Sequence, residues 1–142
     1  MLITKMIDFE EHGDDRGTLI SLEQMKNIPF DIRRVYYMYG TGAQVRRGFH
    51  AHKNLKQVLI CVSGQCKILL DNGKEKTSVV LNSPSRGLLV EADMWREMYD
   101  FSEDAVLLVV ASLLYDEEDY IRNYDEFLEY VNQKQGGNKG EN

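Results

Sequence analysis

Two of the chain's three histidines, His50 and His52, stand one residue apart in Arg47-Gly48-Phe49-His50-Ala51-His52. On a strand, alternate residues point to the same face, so both imidazoles enter one space. An imidazole with an ordinary pKa of about 6.5 can take and return protons at neutral pH. By itself such a pair can also be a surface accident, or two hydrogen-bonded core histidines. The charge around it adds a second sign. Between Ile32 and Leu70 there is no Asp or Glu, while Arg33, Arg34, Arg46, Arg47, Lys53, Lys56 and Lys67 contribute +7. The rest of the chain holds 10 Lys/Arg against 23 Asp/Glu. An acidic protein with one basic block is suited to a small anion rather than to a long polyanion.

The elements that must position these residues are short. Segments rich in β-branched and aromatic residues recur as Thr18–Leu22, Arg34–Tyr39, Gln44–Ala51, Gln57–Ser63, Gln65–Leu70, Lys76–Leu81, Gly87–Val90, Trp95–Phe101 and Ala105–Ser112. Ser63-Gly64, Asp71-Asn72-Gly73 and Asn82-Ser83-Pro84 punctuate them with turn chemistry. Many closely spaced strands predict an all-β sandwich or barrel. Near the end, Tyr120, Tyr124, Phe127, Leu128 and Val131 recur on one helical face, and Asp116 to Asp119 suit a helix N-terminus. The expected organisation is one domain over 1–132 with an appended helix, followed by a disordered tail over 133–142. The 142 residues suffice to bury a core without staples. A net charge of −6 and a pI near 5.1 argue against a nucleic-acid partner. No apolar run reaches membrane length, and the charged start does not resemble a signal peptide, so a cytoplasmic protein with no membrane partner is expected. Cys61 and Cys66, flanking the Ser63-Gly64 turn, read as small apolar residues on adjacent strands.

The spacing His50-x-His52, then Gln57, then Gly64 resembles the first motif of the cupins, a jelly-roll or double-stranded β-helix family. Gln57 stands where that family carries a metal-binding Glu. The counterpart of the second motif, Gly87 to Arg96, has Arg96 where a third His is expected. A guanidinium has no lone pair to give a metal. No metal and no cofactor are therefore expected, which leaves the histidines for proton chemistry.

Five separated blocks narrow the resemblance. They are Arg34-Val35-Tyr36-Tyr37, Arg47 to Lys53, Gln57 to Cys61, Trp95 to Met98, and Tyr115 to Asp125. In this order they resemble the nucleotide-sugar 3,4-ketoisomerases, over about Asp14 to Phe127. That resemblance implies a cupin jelly roll with a C-terminal helix, a homodimer, and a dTDP-linked 4-keto-6-deoxy sugar as the bound partner. It implies His50 as the base at C3 and His52 as the shuttle between the two oxygens. Arg96 would stabilise the enediolate, Arg47 and Arg34 would hold the diphosphate, and Lys53 would add positive potential. Arg16 would bind substrate or serve as a turn residue paired with its acidic neighbours. Tyr37, Tyr39 and Trp95 would stack on the base, contact the sugar or fill the core; Gln57 would face the pocket, and Tyr36 would pack in the core. Arg16 and Arg96 together mix features of the gluco- and galacto-forming branches. A dTDP-sugar epimerase and a non-catalytic nucleotide-sugar-binding cupin are the alternatives.

Overall fold

The turn signals divide the chain into strands largely where the pattern places them. In the computed structural model, which describes residues 2–140, the strands are β1 (Lys5–Asp8), β2 (His12–Asp14), β3 (Gly17–Leu19), β4 (Arg34–Tyr39), β5 (Arg47–His52) and β6 (Gln57–Ser63). They continue as β7 (Cys66–Asp71), β8 (Lys76–Leu81), β9 (Arg86–Val90), β10 (Trp95–Tyr99), β11 (Val106–Ala111) and β12 (Tyr120–Ile121). Two five-stranded sheets form, in the orders β1-β9-β6-β11-β4 and β12-β5-β10-β7-β8. All pairings between these strands are antiparallel. This is the expected all-β jelly-roll sandwich.

Alternation along each strand sorts the apolar residues into three layers. Leu59, Ile68, Leu70, Leu88, Met98, Leu107 and Val109 form the core together with both cysteines, which are buried and free. The outer face of the first sheet is covered by Phe9, Ile28 and Phe30, which pack on Val58, Ile60 and Val110. The outer face of the second sheet is covered by the C-terminal helix, α1 (Tyr124–Gly140), whose Phe127 and Val131 pack on Ala51, Trp95 and Ile121.

Two expectations change here. The helix begins not at Asp116 but at Tyr124, where the Asn123 side chain caps it by accepting from Glu126 N at 3.0 Å. The acidic run instead forms a single 3-10 turn, Glu117–Asp119, capped by Asp116. Tyr120 follows that turn in an edge strand and lies outside the helix. At the other end, the helical backbone continues to Gly140 through much of the stretch expected as a disordered tail. Once a helix is nucleated, each added residue gains a bond at little cost, and Lys134 ties this end to Asp93 at 2.7 Å. Residues 141 and 142 lie outside the described residues.

Candidate active site

A bulge in β5 aims the first histidine. Arg96 pairs with His50 and Glu97 with Gly48, so Phe49 is an extra residue on the β5 side. Gly48 has φ +94° and Phe49 +55°. A Cβ on Gly48 would lie 2.9 Å from the Arg96 carbonyl oxygen, so only glycine fits this approach. The bulge turns the Gly48 carbonyl to accept a 3.0 Å hydrogen bond from His50 Nδ1. Past it, His50 and His52 share the inner face and Ala51 turns outward beneath α1.

The inner face opens into a cavity of about 290 Å³ between β4, β5, β10 and the strap that ends in β12. His50 lines it, with Arg34, Tyr36, Met38, Arg47, Tyr120 and Arg122 among the other lining residues. His52 lies behind His50, fully enclosed, with ring centroids 4.9 Å apart and edge to face. Tyr120 closes the other side of His52 at 4.3 Å. Each histidine donates from Nδ1: His50 to the Gly48 carbonyl, and His52 to the Asp119 carboxylate at 3.0 Å. Nε2 of both rings is buried and has no partner among the described residues.

Beneath the histidines runs a polar chain. Arg96 is entirely buried; it donates to Gln57 Oε1 at 2.6 Å and twice to the Met94 carbonyl. Gln57 Nε2 donates in turn to the hydroxyl of Tyr36, a cavity-lining residue, at 2.9 Å. Burial, and then the charge of Arg96, hold His50 down to about 4 and press His52 well below the ordinary histidine value. Both rings are therefore neutral at pH 7, each with a bare acceptor nitrogen. Arg34 supplies the complementary charge: its Nε and Nη2 are buried and unpartnered among the described residues, and its guanidinium lies over the Tyr36 and Tyr115 rings. Arg122 is held by both oxygens of Glu117 at 2.6 and 2.9 Å and covers the Tyr120 ring at 4.1 Å.

The structure brings together His50, His52, Arg34, Arg47, Gln57 and Arg96, although Gln57 and Arg96 lie under the cavity floor and do not line it. Five expected site residues are elsewhere. Tyr37 and Tyr39 stack on each other on the exposed outer face of β4. Trp95 is buried beneath α1, its Nε1 donating to Glu97. Lys53 is exposed at the end of β5, outside the cavity. Arg16, in the turn of the β2–β3 hairpin, forks onto Asp14 in solvent. Tyr36, Asp119, Tyr120 and Arg122 enter in their place. Tyr36 was legible from strand parity, since it shares a face with Arg34. Among the described residues, no group of three or more His, Cys, Asp or Glu side chains is placed to hold a metal.

A jelly roll with a buried histidine pair on an inner strand defines a cupin-type protein. A family model described as "FdtA: WxcM-like, C-terminal" matches residues 3–132, and the chain belongs to that family. It is 50% identical over 127 residues to TDP-4-oxo-6-deoxy-alpha-D-glucose-3,4-oxoisomerase of Aneurinibacillus thermoaerophilus, covering 89% of this chain and 91% of that one. A 3,4-ketoisomerase from Helicobacter canadensis superposes with a TM-score of 0.90 at 50% identity, over 93% of this chain and 99% of the other. A His-to-Asn variant of the 3,4-ketoisomerase QdtA from Thermoanaerobacterium thermosaccharolyticum, in complex with TDP-4-keto-6-deoxyglucose, superposes with a TM-score of 0.91 at 46% identity. That match covers 94% of this chain and 97% of the other.

Proposed function

We propose that the protein is a TDP-sugar 3,4-ketoisomerase that moves the ketone of TDP-4-keto-6-deoxyglucose from C4 to C3. The observation that carries this reading is the pair of neutral imidazoles with bare Nε2 atoms, His50 lining the cavity and His52 directly behind it, beside a guanidinium whose Nε and Nη2 have no partner among the described residues. In the reading, His50 Nε2 takes the C3 proton, and the C–H electron pair forms a C3–C4 double bond as the C4 carbonyl π pair moves onto the C4 oxygen. His52 takes the proton of the C3 hydroxyl and returns it to the C4 oxygen, so the ketone closes at C3. As it closes, the pair of the C3–C4 double bond takes at C4 the proton held by His50. Arg96, close enough to depress both histidines, offsets negative charge on the enediolate from below. Arg34 and Arg47 bind the diphosphate, with the planar fork that phosphate oxygens require. No metal and no cofactor take part.

The same reading includes a cytoplasmic homodimer that supplies a 3-keto sugar to an aminotransferase. Arg16 stands on a hairpin outside its own cavity, so it enters the reading only as a contact in the dimer. Sedimentation of the purified chain tests the dimer, and a monomer at assay concentration removes it.

Incubation with TDP-4-keto-6-deoxyglucose in D2O, followed by NMR of the product, tests the reaction. A C3 ketone is expected, with any solvent deuterium at C4. A retained C4 ketone with an inverted centre makes the protein an epimerase, and binding without chemistry makes it a sensor. Either result overturns the proposal.

A further inference from the structure

Asp119 is the least expected member of the site. It comes from the acidic run after the last sandwich strand, a run whose charge suits a helix end. The residue is nevertheless 5% exposed, and its side chain accepts every hydrogen bond it makes. Oδ1 accepts from Asn54 N at 2.9 Å and from Asn54 Nδ2 at 3.2 Å. Oδ2 accepts from His52 Nδ1 at 3.0 Å and from Leu55 N at 3.3 Å. With three N–H donors of Asn54 and Leu55 already aimed at it, the carboxylate has only acceptor capacity left for the imidazole. A neutral histidine whose Nδ1 must donate carries its one proton there, and its Nε2 is a bare lone pair.

We infer that Asp119 is a positioning residue: its buried carboxylate locks His52 in the Nδ1–H tautomer and so presents Nε2 as a proton acceptor. The inference rests on the isomerase reading for its purpose, though not for its geometry. A shuttle between two oxygens must accept before it can donate. With the proton on Nε2 instead, His52 would face the sugar hydroxyl donor to donor, and the transfer could not begin. When His52 takes the hydroxyl proton it becomes an imidazolium next to the Asp119 carboxylate. When it gives that proton to the other oxygen, the starting tautomer returns. The Nδ1 proton never leaves. His50 reaches the same tautomer by another route, through the Gly48 carbonyl.

Anchoring of the 53–55 segment is a purely structural role for the same carboxylate, and an amide separates the two. In Asp119→Asn, the side-chain oxygen can still accept from Asn54, while the NH2 group faces His52 Nδ1 and Leu55 N. The imidazole must then accept at Nδ1, and its proton moves to Nε2. The test is 15N–1H spectroscopy of the histidine rings in the full-length protein, run with steady-state kinetics on TDP-4-keto-6-deoxyglucose. Wild-type His52 is expected as Nδ1–H and Asp119→Asn as Nε2–H, with kcat lower by about 10²–10⁴-fold and KM unchanged, as when a catalytic histidine is held in the wrong tautomer. Asn54→Ala, which removes one bond to Asp119 but no tautomer constraint, should keep the wild-type spectrum and kcat. A wild-type His52 with its proton on Nε2 overturns the inference, as does an Asp119→Asn protein with an unchanged spectrum. The wild-type spectrum needs neither substrate nor variant, so it decides the matter even if the sugar is not turned over or the variant fails to fold.

Discussion

At the scale of single residues, the site depends on a cation that touches no solvent. Arg96 is wholly enclosed, held by Gln57 and the Met94 carbonyl, and burial first, then its nearby charge, keeps both imidazoles deprotonated. Activity that needs neutral histidines should therefore persist far below the ordinary histidine value. The acid limb of kcat/KM is expected near the His50 value of about 4. Arg96→Met, which removes the like charge, should move that limb toward neutral pH; an unmoved limb would show that burial alone sets it. Stability follows the same group. Unfolded, His50 takes a proton near pH 6.5; folded, only near 4, so the unfolded state binds more protons in between. This contribution is complete above about pH 6.5 and is lost as pH falls toward about 4. Urea midpoints across that window should fall less steeply in His50→Asn than in wild type.

At the scale of elements, the bulge in β5 and the parity of the strands decide what reaches the cavity. Gly48→Ala places a methyl group against the Arg96 backbone at a positive φ. It should cost about 1–3 kcal/mol in urea unfolding, the scale of a strained backbone position. Turnover should fall with it, because the Gly48 carbonyl orients His50. Most strand assignments were legible in the sequence: β4, β6 and β8 begin and end where the apolar runs do, whereas the short β1, β2 and β12 were not among the expected strands. The two faces were legible as well, wherever a period of two is applied consistently. Arg34 in the cavity requires Tyr36 there and puts Tyr37 and Tyr39 outside. Arg96 inward requires its neighbour Trp95 outward, under the helix. The Asp116–Asp119 run was not legible in this way. A carboxylate that caps a helix and one that turns inward to a histidine look the same in one dimension, and only tertiary pairing of β12 with β5 separates them.

At the scale of the whole molecule, the acid-free block between Ile32 and Leu70 divides into two populations. Arg46 and Lys67 are neutralised on the outer surface by Glu97 and Asp100. Arg34 and Arg47 instead face the cavity, joined there by Arg122 from beyond the block. The net charge of −6 therefore conceals a local positive field. Binding of TDP should weaken as salt rises, since screening acts over about 10 Å at 0.1 M. Arg47→Ala should raise the Kd for TDP and flatten that salt dependence, with a titration series by calorimetry as the measure. The origin of Asp119 and Tyr120 has one more consequence, which concerns the order of synthesis. The two sheets are complete, apart from the short β12, once Ala111 has been made, and every strand of the sandwich core lies before that point. The partner of His52, the Tyr120 wall and the cover over Trp95 all lie after it. A growing chain can thus bury its core before it owns a working site, and the residues translated after the sandwich convert a folded shell into a reactive one.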